Sequence, residues 1–118
     1  MKQHNPRFLK IVAQTKESIR EIHIDEISDE TMLIDVREES EFAQSHAKGS
    51  IHIAKGILER DIETHVPDTE QMFVLYCGGG FRSALAAESL QKMGYKNVFS
   101  MIGGFRAWIG ANRDITKL

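Results

Sequence analysis

The chain has 118 residues, 42% of them hydrophobic and 27% charged, which suits one compact domain and is too apolar for a disordered chain. Fifteen Lys and Arg against seventeen Asp and Glu leave a net charge of -2, with no basic surplus to recruit nucleic acid. No apolar run approaches the ~18 residues of a membrane span, the charged N-terminal stretch is not a secretory signal, and the one cysteine, Cys77, has no partner for an internal disulfide. A reducing, cytoplasmic setting is therefore expected, with no nucleic-acid or membrane partner.

Asn5-Pro6 reads as an N-cap followed by proline at the first helical position. Phe8, Ile11, Val12, Thr15 and Ile19 then recur at helical spacing, which predicts a helix over residues 6–19. Its apolar stripe either docks on the chain's own domain, leaving a monomer, or pairs with a second copy as a homodimer. A short strand follows at 21–24, a turn or short helix at 25–28, a buried strand at 32–36 and a short helix at 38–43. Ile51-His52-Ile53 is a brief strand after the Gly49-Ser50 turn. Leu58, Ile62 and Val66 lie four apart with charges between them, which predicts an amphipathic helix ended by Pro67. Residues 72–76 give the strongest strand signal. Leu85, Ala86, Ser89, Leu90 and Met93 form a helical stripe stopped by Gly94. A strand at 97–101 precedes Gly103-Gly104, which opens a last helix through Phe105, Trp108 and Ile109.

Strands and amphipathic helices thus alternate, the pattern of an α/β fold with a small parallel β-sheet flanked by helices on both faces and an additional N-terminal helix. The expected organisation is an N-terminal helix at 1–20, one domain at 21–112 and a C-terminal tail at 113–118. Ligands of such sheets bind beyond the carboxyl ends of the strands, and Cys77 stands at that end of the strongest strand.

Tyr76-Cys77-Gly78-Gly79-Gly80-Phe81-Arg82-Ser83 combines a strand end, a glycine-rich bend and a helix start. Three glycines let the backbone adopt positive φ and turn its N–H groups inward. The helix start adds unpaired N–H groups and the positive end of a dipole, Arg82 adds a cation, and Ser83 could cap the helix. All of these favour a thiolate at Cys77, the nucleophilic form.

These residues resemble the active loop of the rhodanese family of single-domain sulfurtransferases, which runs from a cysteine through four variable residues to an arginine, here Cys77 to Arg82. Leu33-Ile34-Asp35-Val36-Arg37-Glu38 with Glu41-Phe42, the stretch from His46 to Ile53, and Gly103-Gly104-Phe105 with Trp108 are similar to further family motifs, in the same order. The resemblance spans about residues 21–110; Ala47-Lys48 and Ser50 depart from it. It implies a sulfur relay: Cys77 takes a sulfane sulfur from a small donor such as thiosulfate, polysulfide or a persulfide, and passes it to cyanide or a thiol, protein thiols included. The N–H groups of Gly78, Gly79, Gly80, Phe81 and Arg82 would hold the anionic persulfide, with Arg82 closing the loop. The residues between Cys77 and Arg82 carry no charge, so a less charged or protein-bound persulfide suits the loop better than dianionic thiosulfate.

Asp35 and Arg37 are read as a structural ion pair beside the loop rather than as catalytic groups. The five histidines lack metal-ligand spacing, so neither a metal nor a cofactor is expected, and His46 and His52 are poor candidates for a base serving Cys77. Two rivals remain. A cysteine-dependent phosphatase would place five residues, not four, between its cysteine and arginine. A non-catalytic rhodanese-like recognition module would commonly lack the cysteine.

Overall fold

The computed structural model describes residues 3–118. In chain order the elements are α1 (Pro6–Lys16), β1 (Arg20–Ile22), β2 (Leu33–Asp35), α2 (Glu39–Gln44), β3 (Ser45–Ala47), β4 (Ile51–His52) and α3 (Leu58–His65). There follow β5 (Phe73–Tyr76), α4 (Phe81–Lys92), β6 (Val98–Met101), α5 (Gly104–Gly110) and β7 (Ile115–Lys117). Five strands form a wholly parallel sheet in the order β1-β6-β5-β2-β4. Among the described residues no helix is long and apolar enough to cross a membrane.

Central β5 shows why the sheet needs cover on both faces. Its four residues are fully buried, and their side chains alternate as a strand dictates. Phe73 and Leu75, with Cys77 beyond them, join Leu58, Ile62, Val66, Ala86, Ala87 and Leu90 of the α3 and α4 layer. Val74 and Tyr76 face Phe105 and Trp108 of α5. The layered α/β architecture is as expected.

Three details differ from expectation. The buried face of α4 is Ser83, Ala84, Ala86, Ala87 and Leu90, whereas Leu85 and Ser89 are half-buried and Met93 is exposed. Small side chains let α4 lie close to β5 and β6 while α1 and α3 pack on it as well; the expected stripe shares only Ala86 and Leu90 with this face. Residues 115–117 of the C-terminal stretch form β7, which pairs antiparallel with β3, Ser45 opposite Lys117 and Ala47 opposite Ile115. Ser-His-Ala has little strand propensity, and its partner lies at the far end of the chain. Finally, α1 stops at Lys16, and Ile19 leaves the helix to pack beside the α3 and α4 layer. Val12 and Thr15 are buried where α1 meets α4, so the stripe docks on its own domain, while Ile11 stays 50% exposed.

Candidate active site

Strand β2 leads on to β4 at one side, and β5 leads to β6 at the other, so adjacent β2 and β5 flank the point where the winding reverses. The ends of strands at such a point open a crevice. Asp35-Val36-Arg37 leaves β2 there, and Cys77 follows the last residue of β5.

The chain turns from β5 into α4 within four residues because Gly80 takes φ +96° as the N-cap of α4. That turn folds backbone donors onto the sulfur. Cys77 Sγ accepts the Gly80 N–H at 3.2 Å and the Ser83 N–H at 3.3 Å. The thiol donates to Ser83 Oγ at 3.5 Å, and Ser83 Oγ shares a 2.7 Å hydrogen bond with Ser100 Oγ of β6. Ser83 therefore does not cap α4; it lies in the first turn, with its hydroxyl on the sulfur. Cys77 is 1% exposed, so these bonds act where little water screens them.

The loop carbonyls are held from the other side. Cys77 O accepts the Phe105 N–H at 2.7 Å, and Gly78 O accepts the Arg106 N–H at 3.1 Å, both from the first turn of α5. This close approach explains Gly104: it takes φ +54°, and a Cβ there would lie 2.3 Å from Cys77 O. Gly80 is confined less severely: its Cβ would meet Gly103 N and Met101 O at 3.2 Å, at a positive φ that side chains rarely adopt.

Arg82 makes no hydrogen bond to the sulfur and grips Glu41 of α2 with two bonds, at 2.9 and 3.1 Å. That guanidinium holds the Glu41 carboxyl below the ordinary carboxylate range, and Glu41 in turn raises Arg82 further. Glu41 also accepts the Glu38 N–H at 2.9 Å, which fixes the start of α2. The sign follows from the lowered acid: its contribution is complete above the unfolded carboxylate value near ~4.3 and fades as pH falls through the folded one. Glu41→Gln should accordingly lower stability at pH 7 by less than about 1 kcal/mol, since solvent screens a pair whose side chains are a third exposed. Thermal melts of the two proteins should converge in acid. An offset that persists unchanged in acid would show that the charge of Glu41 contributes nothing.

Asp35 and Arg37 form a buried pair. Arg37 donates to both Asp35 carboxylate oxygens, with its shortest bond at 2.7 Å, and to Ser45 O at 2.7 Å. Its guanidinium lies 4.4 Å from the Phe105 ring centroid, so this pair braces β2, β3 and α5 behind the loop. His46 donates to Phe42 O and His52 to Arg37 O, each at 2.8 Å, and both rings stack on Phe42. Neither histidine is among the hydrogen-bond partners of Cys77. Among the described residues no group of three or more His, Cys, Asp or Glu is placed to hold a metal ion.

Of the amides read from sequence, Gly80 is the one that reaches Sγ; Gly78, Gly79, Phe81 and Arg82 make up the rest of the turn. Sequence reasoning missed the amide of Ser83, the hydroxyl of Ser100 and the carboxylate of Glu41. Ser83 lies next to Arg82 and could have been found from the pitch of the first helical turn. Ser100 comes from another element and left no local signal; Glu41 lies in a stretch similar to a family motif, but nothing local to it points to Arg82.

The rhodanese-like domain family matches residues 17–111. Thiosulfate sulfurtransferase GlpE of Haemophilus influenzae is 38% identical over 84 residues, covering 71% of this chain and 78% of that protein. Among solved structures, a rhodanese with anions from E. coli aligns with a TM-score of 0.66 at 32% identity, over 75% of this chain and 99% of that one. A protein of unknown function from Rhodopseudomonas palustris CGA009, described as a possible tyrosine phosphatase, aligns with a TM-score of 0.79 at 30% identity, over 98% of this chain and 99% of that one.

Proposed function

Since the chain belongs to the rhodanese-like family, we propose that it is a sulfurtransferase that carries a sulfane sulfur on Cys77. The observation behind this reading is the position of the only thiol: its sulfur accepts two backbone N–H groups at the start of α4, inside a loop of four residues between cysteine and arginine. In the first half-reaction the Cys77 thiolate attacks the outer sulfur of the donor. The donor S–S bond breaks, its electron pair departs with sulfite or the donor thiolate, and Cys77 becomes a persulfide. In the second, an acceptor thiolate or cyanide attacks the outer sulfur and leaves with it, returning the Cys77 thiolate.

The Gly80 and Ser83 amides and the α4 dipole offset negative charge on the inner sulfur. The amides of Gly78, Gly79, Phe81 and Arg82 complete the cradle for the outer one. Arg82 keeps the loop closed through Glu41 and takes no part in bond breaking. The uncharged loop between Cys77 and Arg82 favours a thiol-borne persulfide over thiosulfate as donor.

The likeness to a possible tyrosine phosphatase keeps phosphoryl transfer as the second reading. Against it, the loop is one residue short, and the Arg82 guanidinium that would clasp a phosphoryl group is engaged by Glu41. Intact mass after incubation with thiosulfate or a polysulfide separates the readings: a gain of one sulfur is expected, with no phosphate released from an aryl phosphate. Because no second cysteine can resolve the adduct, desalted protein should keep its added sulfur until a thiol is supplied. Phosphate release with no sulfur gained would favour the phosphatase; neither product would favour a recognition module.

A further inference from the structure

Helix α1 precedes the residues that match the family, which begin at residue 17, yet it reaches the reactive loop. The three glycines after Cys77 offer no side chain by which the loop could be anchored, and backbone at glycine is the most mobile. Phe81 is the first side chain beyond them. It stands between Gly80, whose N–H donates to the sulfur, and Arg82, which is tied to Glu41. The aromatic and cationic groups beside Phe81 come from the N-terminal segment. The His4 ring meets it edge-on at 4.9 Å, the Phe8 ring lies at 6.1 Å, and these two rings lie 5.2 Å apart. At the other end of α1, Lys16 Nζ sits 5.3 Å from the Phe81 ring centroid. Val12 and Thr15 are buried between these contacts, so the grip on Phe81 has a docked helix behind it.

We propose that α1 is a positioning element of the Cys77 loop: it grips Phe81 from both ends of the helix and thereby holds the Gly80 amide on the sulfur. The loop is then fixed on three sides, by α5 at its carbonyls, by Glu41 at Arg82 and by α1 at Phe81. The kinetic consequence rests on the sulfur-transfer reading above; the structural one does not.

The test uses the full chain with Phe8→Ala, Phe8→Tyr, His4→Ala and, as control, Ile11→Ala on the exposed side of the same helix. Hydrogen exchange at the Gly80 and Ser83 amides is measured beside the rate of Cys77 sulfur loading. Loss of the Phe8 ring should speed exchange at these amides about fivefold and slow loading by a similar factor, the size of an aromatic pair contact. Phe8→Tyr should restore both values, and Ile11→Ala should leave both unchanged. His4 lies before α1, so His4→Ala keeps the helix docked and should shift exchange in the same direction, by about twofold. Wild-type exchange in both Phe8→Ala and His4→Ala, or an equal effect of Ile11→Ala, would overturn the proposal. If the wild-type protein loads no sulfur, the exchange result still decides the role of α1, and the sulfur-transfer reading alone fails.

Discussion

Replacing Cys77 with serine should abolish sulfur loading and lower transfer from thiosulfate or a polysulfide by at least about 10³-fold, as removal of a covalent nucleophile does. Stability should move by less than about 1 kcal/mol, because a hydroxyl can accept the same Gly80 and Ser83 amides and donate to Ser83 Oγ. The pairing of a large kinetic loss with a small thermodynamic one separates a sulfur carrier from a buried cysteine that merely fills space. Intact mass, steady-state transfer and a denaturant melt measure all three quantities. Transfer that survives in the serine variant would remove Cys77 from the mechanism.

An alanine at Gly104 should be nearly as damaging, though Gly104 makes no hydrogen bond to the sulfur. Its Cβ would lie 2.3 Å from Cys77 O and 2.9 Å from Gly78 C, both backbone atoms that no rotamer change can clear. Either α5 retreats, releasing two hydrogen bonds to the loop carbonyls, or the loop moves and takes the sulfur with it. Stability should fall by about 2–4 kcal/mol from the clash and the positive φ. In the fraction that remains folded, the loading rate should fall about 10²-fold, since a shift of about 1 Å at the reacting atom is enough for that. Gly110→Ala is the comparison in the same helix: open space surrounds that position, and its stability should stay within about 0.5 kcal/mol of wild type. Matching melts for Gly104→Ala and Gly110→Ala would refute this account of Gly104.

The parts of the site legible in the sequence were those written in consecutive residues. A strand, three glycines and a helix start around Cys77 announce a tight turn with inward amides because each property belongs to the residue that shows it. The strands at β2, β5 and β6 were legible for the same reason, as short apolar runs between turn signals. What stayed hidden depends on elements that meet only after folding. Glu41 is one acidic residue among several in its segment until α2 lies beside Arg82. Ser100 looks like a break in an apolar strand until α4 brings Ser83 to it. The α4 stripe met the buried face only at Ala86 and Leu90, because the small Ser83, Ala84 and Ala87 that also face the sheet carry little hydrophobic signal, and β7 was missed because its partner, Ser45-His46-Ala47, carries no strand signature of its own.

The hydrogen bonds from Phe105 and Arg106 to the carbonyls of Cys77 and Gly78 also order events during synthesis. A ribosome releases Cys77 well before it releases residues 103–106, so a growing chain passes through lengths at which the thiol exists without its finished turn. β5 also waits for β6, its neighbour on one side, which is made just before α5. Contacts between distant parts of a chain form late, and a domain folds as a unit once its last essential segment is available. The turn around Cys77 is therefore completed only after α5 has been made, and a polypeptide that stops short of α5 offers an ordinary thiol where the folded domain offers a cradled one.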